Sequence, residues 1–310
     1  MDKVFSREPV ITVPHGRGGS TDRSVRLLAA TAKKHLGCEL RIQNLTGING
    51  AYALDLMVDS IRALPDGDSL STANTSVILS PLVGRTKYIY TREIRPLLMY
   101  AEAPFLLAVS SDSPYESLDD FIRYASDHPG KLTAGNSGIG NVSHVLMEIL
   151  CAKAGIKLGK HSYDSGYELM QGLAAHEIDC LISNAVDMRT VIAENKVKIL
   201  ASSAVSSGSY PCFRDLGYPL EAYLRQGIGT SVLVPEEKCA YLEQAFAAMA
   251  KEDTLVSGIR EAGMAYRYMS GREYAELWRM EESRWRTLLQ DELGRKIREE
   301  ILQIRSGQRL

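Results

Sequence analysis

The fold is decided near the amino terminus by the stretch Val10-Ile11-Thr12-Val13-Pro14-His15-Gly16-Arg17-Gly18-Gly19-Ser20-Thr21-Asp22. Its first four residues are apolar or β-branched and predict a strand. The glycine-rich turn that follows leads to apolar residues at helical spacing, which are Val25, Leu28, Ala29, Ala32 and Leu36. Strand, glycine loop and helix together predict the first unit of an α/β protein.

The same alternation continues along the chain and predicts an α/β fold with a mainly parallel sheet. The next elements are a strand over residues 39–44, a helix over 51–63 and a strand over 69–73. Further strands are predicted at residues 105–109, 132–134, 161–163, 179–182, 198–201 and 227–234. The part after Pro235 is helical, and beyond Leu293 a narrow apolar edge predicts either a solvated helix or a contact for self-association.

A second glycine loop, Gly135-Asn136-Ser137-Gly138-Ile139-Gly140, again lies between a predicted strand and a predicted helix. Backbone N–H groups at a helix N-terminus, together with the helix dipole, favour an anion at such a junction. Both loops are therefore candidate anion sites, and the chain is built from two similar α/β units.

Composition limits the function classes. At roughly 150 residues per domain, a length of 310 residues predicts two domains or one unusually large one. The net charge of −2 offers no general basic field for nucleic acid. The longest apolar stretch is interrupted by Glu102 and Pro104 and is too short to span a membrane. The five cysteines are far apart, without the spacing of a zinc or redox motif.

No familiar catalytic or cofactor motif accompanies the two loops. The second loop comes within one residue of the dinucleotide fingerprint, but its third glycine is missing and no acidic residue ends the next strand. A phosphate loop, a zinc helix and a nucleophile elbow are also absent from the sequence. These observations predict a protein without metal or cofactor that holds a ligand and does not transform it.

The positions of glycines and polar residues along the chain predict a set of ligand contacts. Backbone and hydroxyl donors are expected from both loops, and polar residues after the other strands are expected at the carboxyl ends where open α/β sheets bind ligands. The set comprises Gly18, Gly19, Ser20, Thr75, Ser76, Ser137, Gly138, Asn141 and Asn184.

Four motifs resemble the Bug-type extracytoplasmic solute-binding proteins of tripartite tricarboxylate transporters. Residues 13–22 are similar to the family's V-P-F-x-P-G-G-x-x-D, and Asn44-Leu45-Thr46-Gly47 with Gly50 is similar to its N-x-x-G-A-G-G turn. Pro65-Asp66-Gly67 resembles its P-D-G-Y-T turn, and residues 129–144 resemble its P-G-K segment, which ends in a histidine. The resemblance covers residues 9 to 290 and adds Asp22 and His144 to the candidate contacts.

The resemblance implies a two-lobed fold of the type II periplasmic-binding-protein class, the Venus flytrap, with the ligand cleft between the lobes. Lobe 1 would comprise residues 1–102 plus 227–310 and lobe 2 residues 103–226, with hinges near 102–105 and 224–229. It also implies a small carboxylate-bearing ligand, delivery to a membrane permease, no catalysis, and export to the periplasm with the leader absent from this sequence.

Some residues at expected ligand-contact positions differ from the family pattern, and these differences bear on which ligand is bound. His15 and Arg17 stand where the family has an aromatic and a small residue or proline. A turn whose Tyr163 and Asp164 are candidate ligand contacts replaces a lysine by an aspartate. We expect His15 and Arg17 to select an anionic group and Asp164 to accept a hydrogen bond from the ligand, although Arg17 is equally compatible with a solvated rim position.

Two other function classes remain open at this point, because a fold does not fix a function. One is an enzyme on the same two-lobed scaffold. The other is a ligand-sensing regulator that passes its closed form to a protein partner.

Overall fold

The structure is a computed structural model that describes residues 5–45, 51–163 and 165–305, without the side chains of residues 51, 304 and 305. The helices and strands follow in chain order: β1 Val10–Val13, α1 Ser20–Ala29, α2 Ala32–Leu36, β2 Arg41–Asn44, α3 Ala51–Ala63, β3 Ser69–Thr72, α4 Thr75–Leu82, β4 Ile94–Ser110, α5 Leu118–Asp127, β5 Thr133–Asn136, α6 Val142–Ala154, β6 Gly159–Ser162, α7 Gly166–Ala174, β7 Cys180–Asn184, α8 Ala185–Ala193, β8 Val197–Ser202, β9 Tyr223–Ser231, α9 Glu236–Ala250, α10 Asp253–Glu261, β10 Ala265–Ser270, α11 Gly271–Leu288 and α12 Glu292–Arg305.

The chain divides into two compact units. Unit 1 contains Met1–Glu102 and Arg225–Thr287, and unit 2 contains Ala103–Leu224 and Leu288–Leu310. The tail was expected in the first lobe, but it belongs to unit 2 because α12 packs against α6. Ile297 and Ile301 on its apolar edge are 0% and 6% exposed within the chain itself. The expectation of a solvated apolar edge is thus corrected, since the unit's own core covers Ile297 and Ile301, whereas self-association through this helix stays a prediction.

The sheet of unit 1 is mixed. β1 pairs in parallel with β2 on one side and β3 on the other. β9 is antiparallel to β3, and β10 is antiparallel to the first half of β4. Within unit 1 the predicted mainly parallel arrangement therefore holds only for β1, β2 and β3, and the first glycine loop follows the central one of these strands, β1.

Unit 2 repeats this organisation. β5 pairs in parallel with β6 and β7, and the second half of β4 lies antiparallel between β7 and β8. Leu106 and Ala108 of β4 pack with Leu169 and Leu173 of α7 in the core of this unit. The second glycine loop again follows the central strand of the parallel set.

Strand β4 is 17 residues long and almost entirely buried, whereas the sequence predicted only its second half. Glu102 makes the longer strand hard to recognise, because a lone carboxylate in an apolar run argues against burial. In the structure its oxygens accept from Arg225 Nε at 3.2 Å and Arg267 Nη1 at 2.9 Å. The charge is paired, so the strand continues through it.

Candidate functional site

The carboxyl ends of β1, β2 and β3 place three polar residues at one edge of unit 1. His15 follows β1, Asn44 ends β2, and Asn74 follows β3. Asn44 Nδ2 donates to the His15 carbonyl at 3.0 Å, and Asn74 Nδ2 lies 3.4 Å from His15 Nε2. Parallel strands thus bring residues from three sequence segments together around the first loop, as open α/β sheets do at ligand sites.

A buried carboxylate holds the first loop. Asp22 on α1 is 2% exposed and accepts from Gly18 N–H at 2.8 Å, Arg26 Nε at 2.9 Å and Asn44 Nδ2 at 2.9 Å. Burial alone would raise the pKa of Asp22, but these donors outweigh it and the pKa lies below its usual value. Asp22 therefore positions the loop, and the N–H of Gly18, expected to serve a ligand, is already used.

His15 is presented as a neutral hydrogen-bond donor. Ser76 N–H donates to Asn74 Oδ1 at 3.1 Å, which turns the Asn74 amide group toward His15 Nε2. Nε2 then accepts, and the ring proton sits on Nδ1. Burial, with a smaller contribution from the charge of Arg85, lowers the pKa of His15 to about 4. At neutral pH, His15 offers an N–H and no charge.

Two arginines of unit 1 bear on this site, Arg17 in the first loop and Arg85 through its charge on His15. Arg17 is exposed and makes no ion pair with the described residues, which fits both the rim and the ligand-contact interpretations. Arg85 is 5% exposed, and its charge acts on His15. Sequence reasoning missed Arg85 and Asn74. Asn74 had a recognisable signal, because an asparagine directly before a helix is a typical N-cap, whereas Arg85 had none.

The other expected contacts of unit 1 are helix-start residues. Gly19 is the N-cap of α1, and its carbonyl accepts from Arg23 N–H at 3.0 Å. Ser20 begins that helix. Thr75 begins α4, and its hydroxyl accepts from Arg225 N–H at 3.1 Å. The first-turn N–H groups of α1 have no partner within the helix and remain suited to an anion.

In unit 2 the second loop is held by uncharged groups. Asn136 Oδ1 accepts from Gly138 N–H at 3.0 Å. Asn141 caps α6 by accepting from His144 N–H at 2.8 Å, and His144 Nδ1 accepts from Gly140 N–H at 3.2 Å. Gly138 has φ +134° and Gly140 φ +76°, which favour glycine at both turns.

Several expected contacts of this unit have internal roles. His144 is 3% exposed, and its Nδ1 is occupied by the loop. Tyr163 donates to Glu177 at 3.1 Å, and burial together with that carboxylate raises the pKa of Tyr163 to about 12. Asn184 caps α8 by accepting from Asp187 N–H at 3.0 Å. Asp164 lies outside the described residues, as do Thr46, Gly47 and Gly50 of the second motif.

Ser137 remains a candidate ligand donor in the second loop. Its side chain is half-buried, and its hydroxyl makes no hydrogen bond with the described residues. The first-turn N–H groups of α6, at Val142 and Ser143, follow the same loop and have no partner within the helix. Each unit therefore presents backbone donors at a helix N-terminus with one side-chain donor nearby, Ser137 here and His15 in unit 1.

The described residues hold no group of three or more His, Cys, Asp or Glu placed to bind a metal ion. All five cysteines are free thiols, and Cys180, Cys212 and Cys239 are buried. Among the helices that the structure describes, none is both long and apolar enough to cross a membrane.

Comparison with protein families matches residues 24–294 to the tripartite tricarboxylate transporter family receptor, TctC. A protein from the tcbD-tcbE intergenic region of Pseudomonas sp. strain P51 is 24% identical over 303 residues, which cover 93% of this chain and 87% of that protein. BugT of Bordetella pertussis is 24% identical, over 70% of this chain and 68% of that protein.

Solved structures show the same fold. A TctC solute-binding protein from Polaromonas superposes with a TM-score of 0.75 at 22% identity, over 92% of this chain and 98% of that one. A protein of R. palustris with adipate gives 0.80 at 24% identity, over 92% and 97%. MatC from Rhodopseudomonas palustris with bound malate gives 0.77 at 23% identity, over 91% and 99%. The predicted periplasmic-binding-protein fold is confirmed.

Proposed function

Because this chain belongs to the TctC family of tripartite tricarboxylate transporter receptors, we propose that it binds a small carboxylate-bearing solute and delivers it to the permease subunits of such a transporter. The observation that carries the proposal is the pair of loop-to-helix junctions. Each follows the central strand of a parallel set and offers N–H groups to an anion. Two structurally similar proteins have adipate and malate bound.

The donor set favours a carboxylate over a phosphate-rich ligand. Unit 1 offers a neutral His15 N–H and one exposed guanidinium, Arg17, and unit 2 offers Ser137 with the start of α6. A carboxylate accepts a few charge-assisted hydrogen bonds in this way, while polyphosphates are held by the denser glycine and lysine cradles of phosphate loops. A second carboxylate on the ligand would engage Arg17 in bidentate fashion.

In this proposal the two units are the lobes, and the chain segments near 102–105 and 224–229 are the hinges. Both loops contact the same ligand, and Asp164 is still expected to accept a hydrogen bond from its hydroxyl or amine. The protein acts in the periplasm, after export, as a receptor without turnover. The mechanism needs no cofactor and no nucleophile, since binding alone accounts for the donors at both loops.

The test is a thermal-shift screen of mono-, di- and tricarboxylates, with malate and adipate included. A ligand at ~100 times its dissociation constant stabilises the folded chain by about 2.7 kcal/mol, or roughly 5 °C for a chain of this length. Mass spectrometry should recover the ligand chemically unchanged. Product above stoichiometric yield would favour the enzyme alternative, and no shift with any carboxylate would contradict the ligand class.

A further inference from the structure

Helix α12 extends beyond the segment that matches the receptor family and packs on the ligand-loop helix α6 of unit 2. Its Glu300 is only 15% exposed. One oxygen, Oε1, accepts from Lys160 Nζ at 2.7 Å, and the other, Oε2, lies 3.5 Å from His144 Nε2. A tail carboxylate therefore faces the histidine that holds the second loop.

Charged neighbours fix the direction of this carboxylate. Lys160 on β6 also pairs with Glu148 Oε1 at 2.8 Å, and Lys296 on α12 pairs with Glu148 Oε2 at 3.3 Å. Lys160 thus bridges Glu300 and Glu148. Because Oε1 is held by an ammonium group, Oε2 is the oxygen left to act on the imidazole.

The contacts that Gly140 and Glu300 make with the His144 ring require the same tautomer. Gly140 N–H donates to Nδ1, so Nδ1 must be unprotonated and the ring proton must sit on Nε2. A carboxylate beside Nε2 stabilises a proton there, as carboxylates do behind metal-binding histidines. The opposite tautomer would set Nδ1–H against Gly140 N–H and bring a lone pair toward Glu300.

We propose that Glu300 is a positioning residue of the ligand site, which selects the Nε2–H tautomer of His144 and thereby holds Gly140 and the second loop ready for ligand. The proposal rests on the proposed function only for its effect on affinity. Its effect on the tautomer and on the loop is independent of any ligand.

Glu300→Gln separates this role from simple packing. The variant keeps the side-chain volume, but its carbonyl oxygen is drawn to Lys160, which leaves the amide NH₂ toward His144 Nε2. That amide favours the wrong tautomer. Glu299→Gln is the matched control, because Glu299 is the preceding residue of the same helix, exposed, and paired with Arg295 at 3.1 Å.

The measurement is nitrogen-15 NMR of the His144 ring together with hydrogen exchange of the Gly140 amide, both without ligand. We expect wild type and Glu299→Gln to show the Nε2–H tautomer. Glu300→Gln should populate the other tautomer and speed Gly140 exchange about tenfold, equivalent to about 1.4 kcal/mol. The malate or adipate dissociation constant should rise about threefold to tenfold in Glu300→Gln alone.

An Nδ1–H or doubly protonated His144 in wild type would overturn the proposal, and this outcome needs no variant to fold. Unchanged tautomer and exchange in folded Glu300→Gln would overturn it as well. If wild type binds no carboxylate while Glu300→Gln still alters the tautomer and exchange, the proposed function fails and the positioning role stands.

Discussion

The two glycine loops occupy equivalent places in their units but are held by different chemistry. The first is fixed by the ionised carboxylate of Asp22, with Arg26 and Asn44 around it. The second is fixed by neutral groups, the amides of Asn136 and Asn141 and the imidazole of His144. The strand-loop-helix junction therefore does not dictate how its loop is restrained.

This difference affects how sensitive each loop is to acid and which unit selects among ligands. The first loop depends on a charge, carries the arginine and presents the neutral His15. The second depends on hydrogen bonds between uncharged partners and offers mostly backbone donors. Selectivity for a second anionic group should therefore reside in unit 1, while the second loop supplies a general anion contact.

The largest expected effect comes from removing the charge that holds the first loop. Asp22→Ala removes the buried acceptor that Gly18 N–H, Arg26 Nε and Asn44 Nδ2 share, so we expect the free energy of unfolding to fall by about 3 kcal/mol. Urea unfolding of wild type and variant measures this change in the free energy of unfolding. The exposed Asp127→Ala should change stability by less than about 0.5 kcal/mol, and an equally small change in Asp22→Ala would show that the carboxylate does not restrain the loop.

Arg17 tests whether unit 1 selects among carboxylate ligands. Arg17→Ala should weaken a dicarboxylate by about 1.5–3 kcal/mol and a monocarboxylate much less, because a charge-assisted contact to the second carboxylate is lost. Calorimetry with both ligand types measures the difference, and Arg23→Ala on the exposed side of α1 is the control. Equal losses for both ligands would make Arg17 a rim residue only.

We expect His15 to make the stability of the folded chain sensitive to acid. Its pKa is about 4 when folded and 6.5 ordinarily, so between these values the unfolded chain binds more protons and stability falls as pH falls. We expect a loss of about 1–2 kcal/mol over that window, reduced by solvent screening of the half-exposed ring. His15→Phe should remove this part of the pH slope. An unchanged slope, matching that of an exposed-site variant such as His128→Phe, would contradict the burial argument.

We expect the smallest change in stability from removing one of the uncharged groups that hold the second loop. Asn141→Ala removes the cap of α6 and should cost about 1 kcal/mol while weakening ligand binding. Ser117→Ala removes the cap of α5, where Ser117 accepts from Asp120 N–H, and should cost a similar amount without affecting affinity. If both variants bind ligand equally well, the start of α6 is not part of the site.

Sequence patterns predicted the junctions well. β1 and α3 have the predicted bounds, and both glycine loops lead into helices, because glycine turns and apolar periodicity are local signals. Strand β10 and helix α4 were missed. Residues 265–270 alternate between exposed and half-buried positions without a clear apolar face, and α4 contains Pro81, which argues against a helix.

The roles of the site residues were harder to predict. Asn141 and Asn184 follow strands and look like ligand contacts, but in the structure their side chains cap the next helices. Which atom of His144 is available depends on Gly140 and on Glu300, which lies 156 positions later in the sequence. Such partners come from tertiary packing, and no local pattern encodes them.

A crystal structure with the ligand recovered from the thermal-shift screen would show whether the two loops bind it. We expect carboxylate oxygens within about 2.7–3.2 Å of His15 Nδ1 or the first-turn N–H groups of α1, and of Ser137 or the start of α6. A carboxylate bound away from both loops, with His15 and Ser137 untouched, would contradict it.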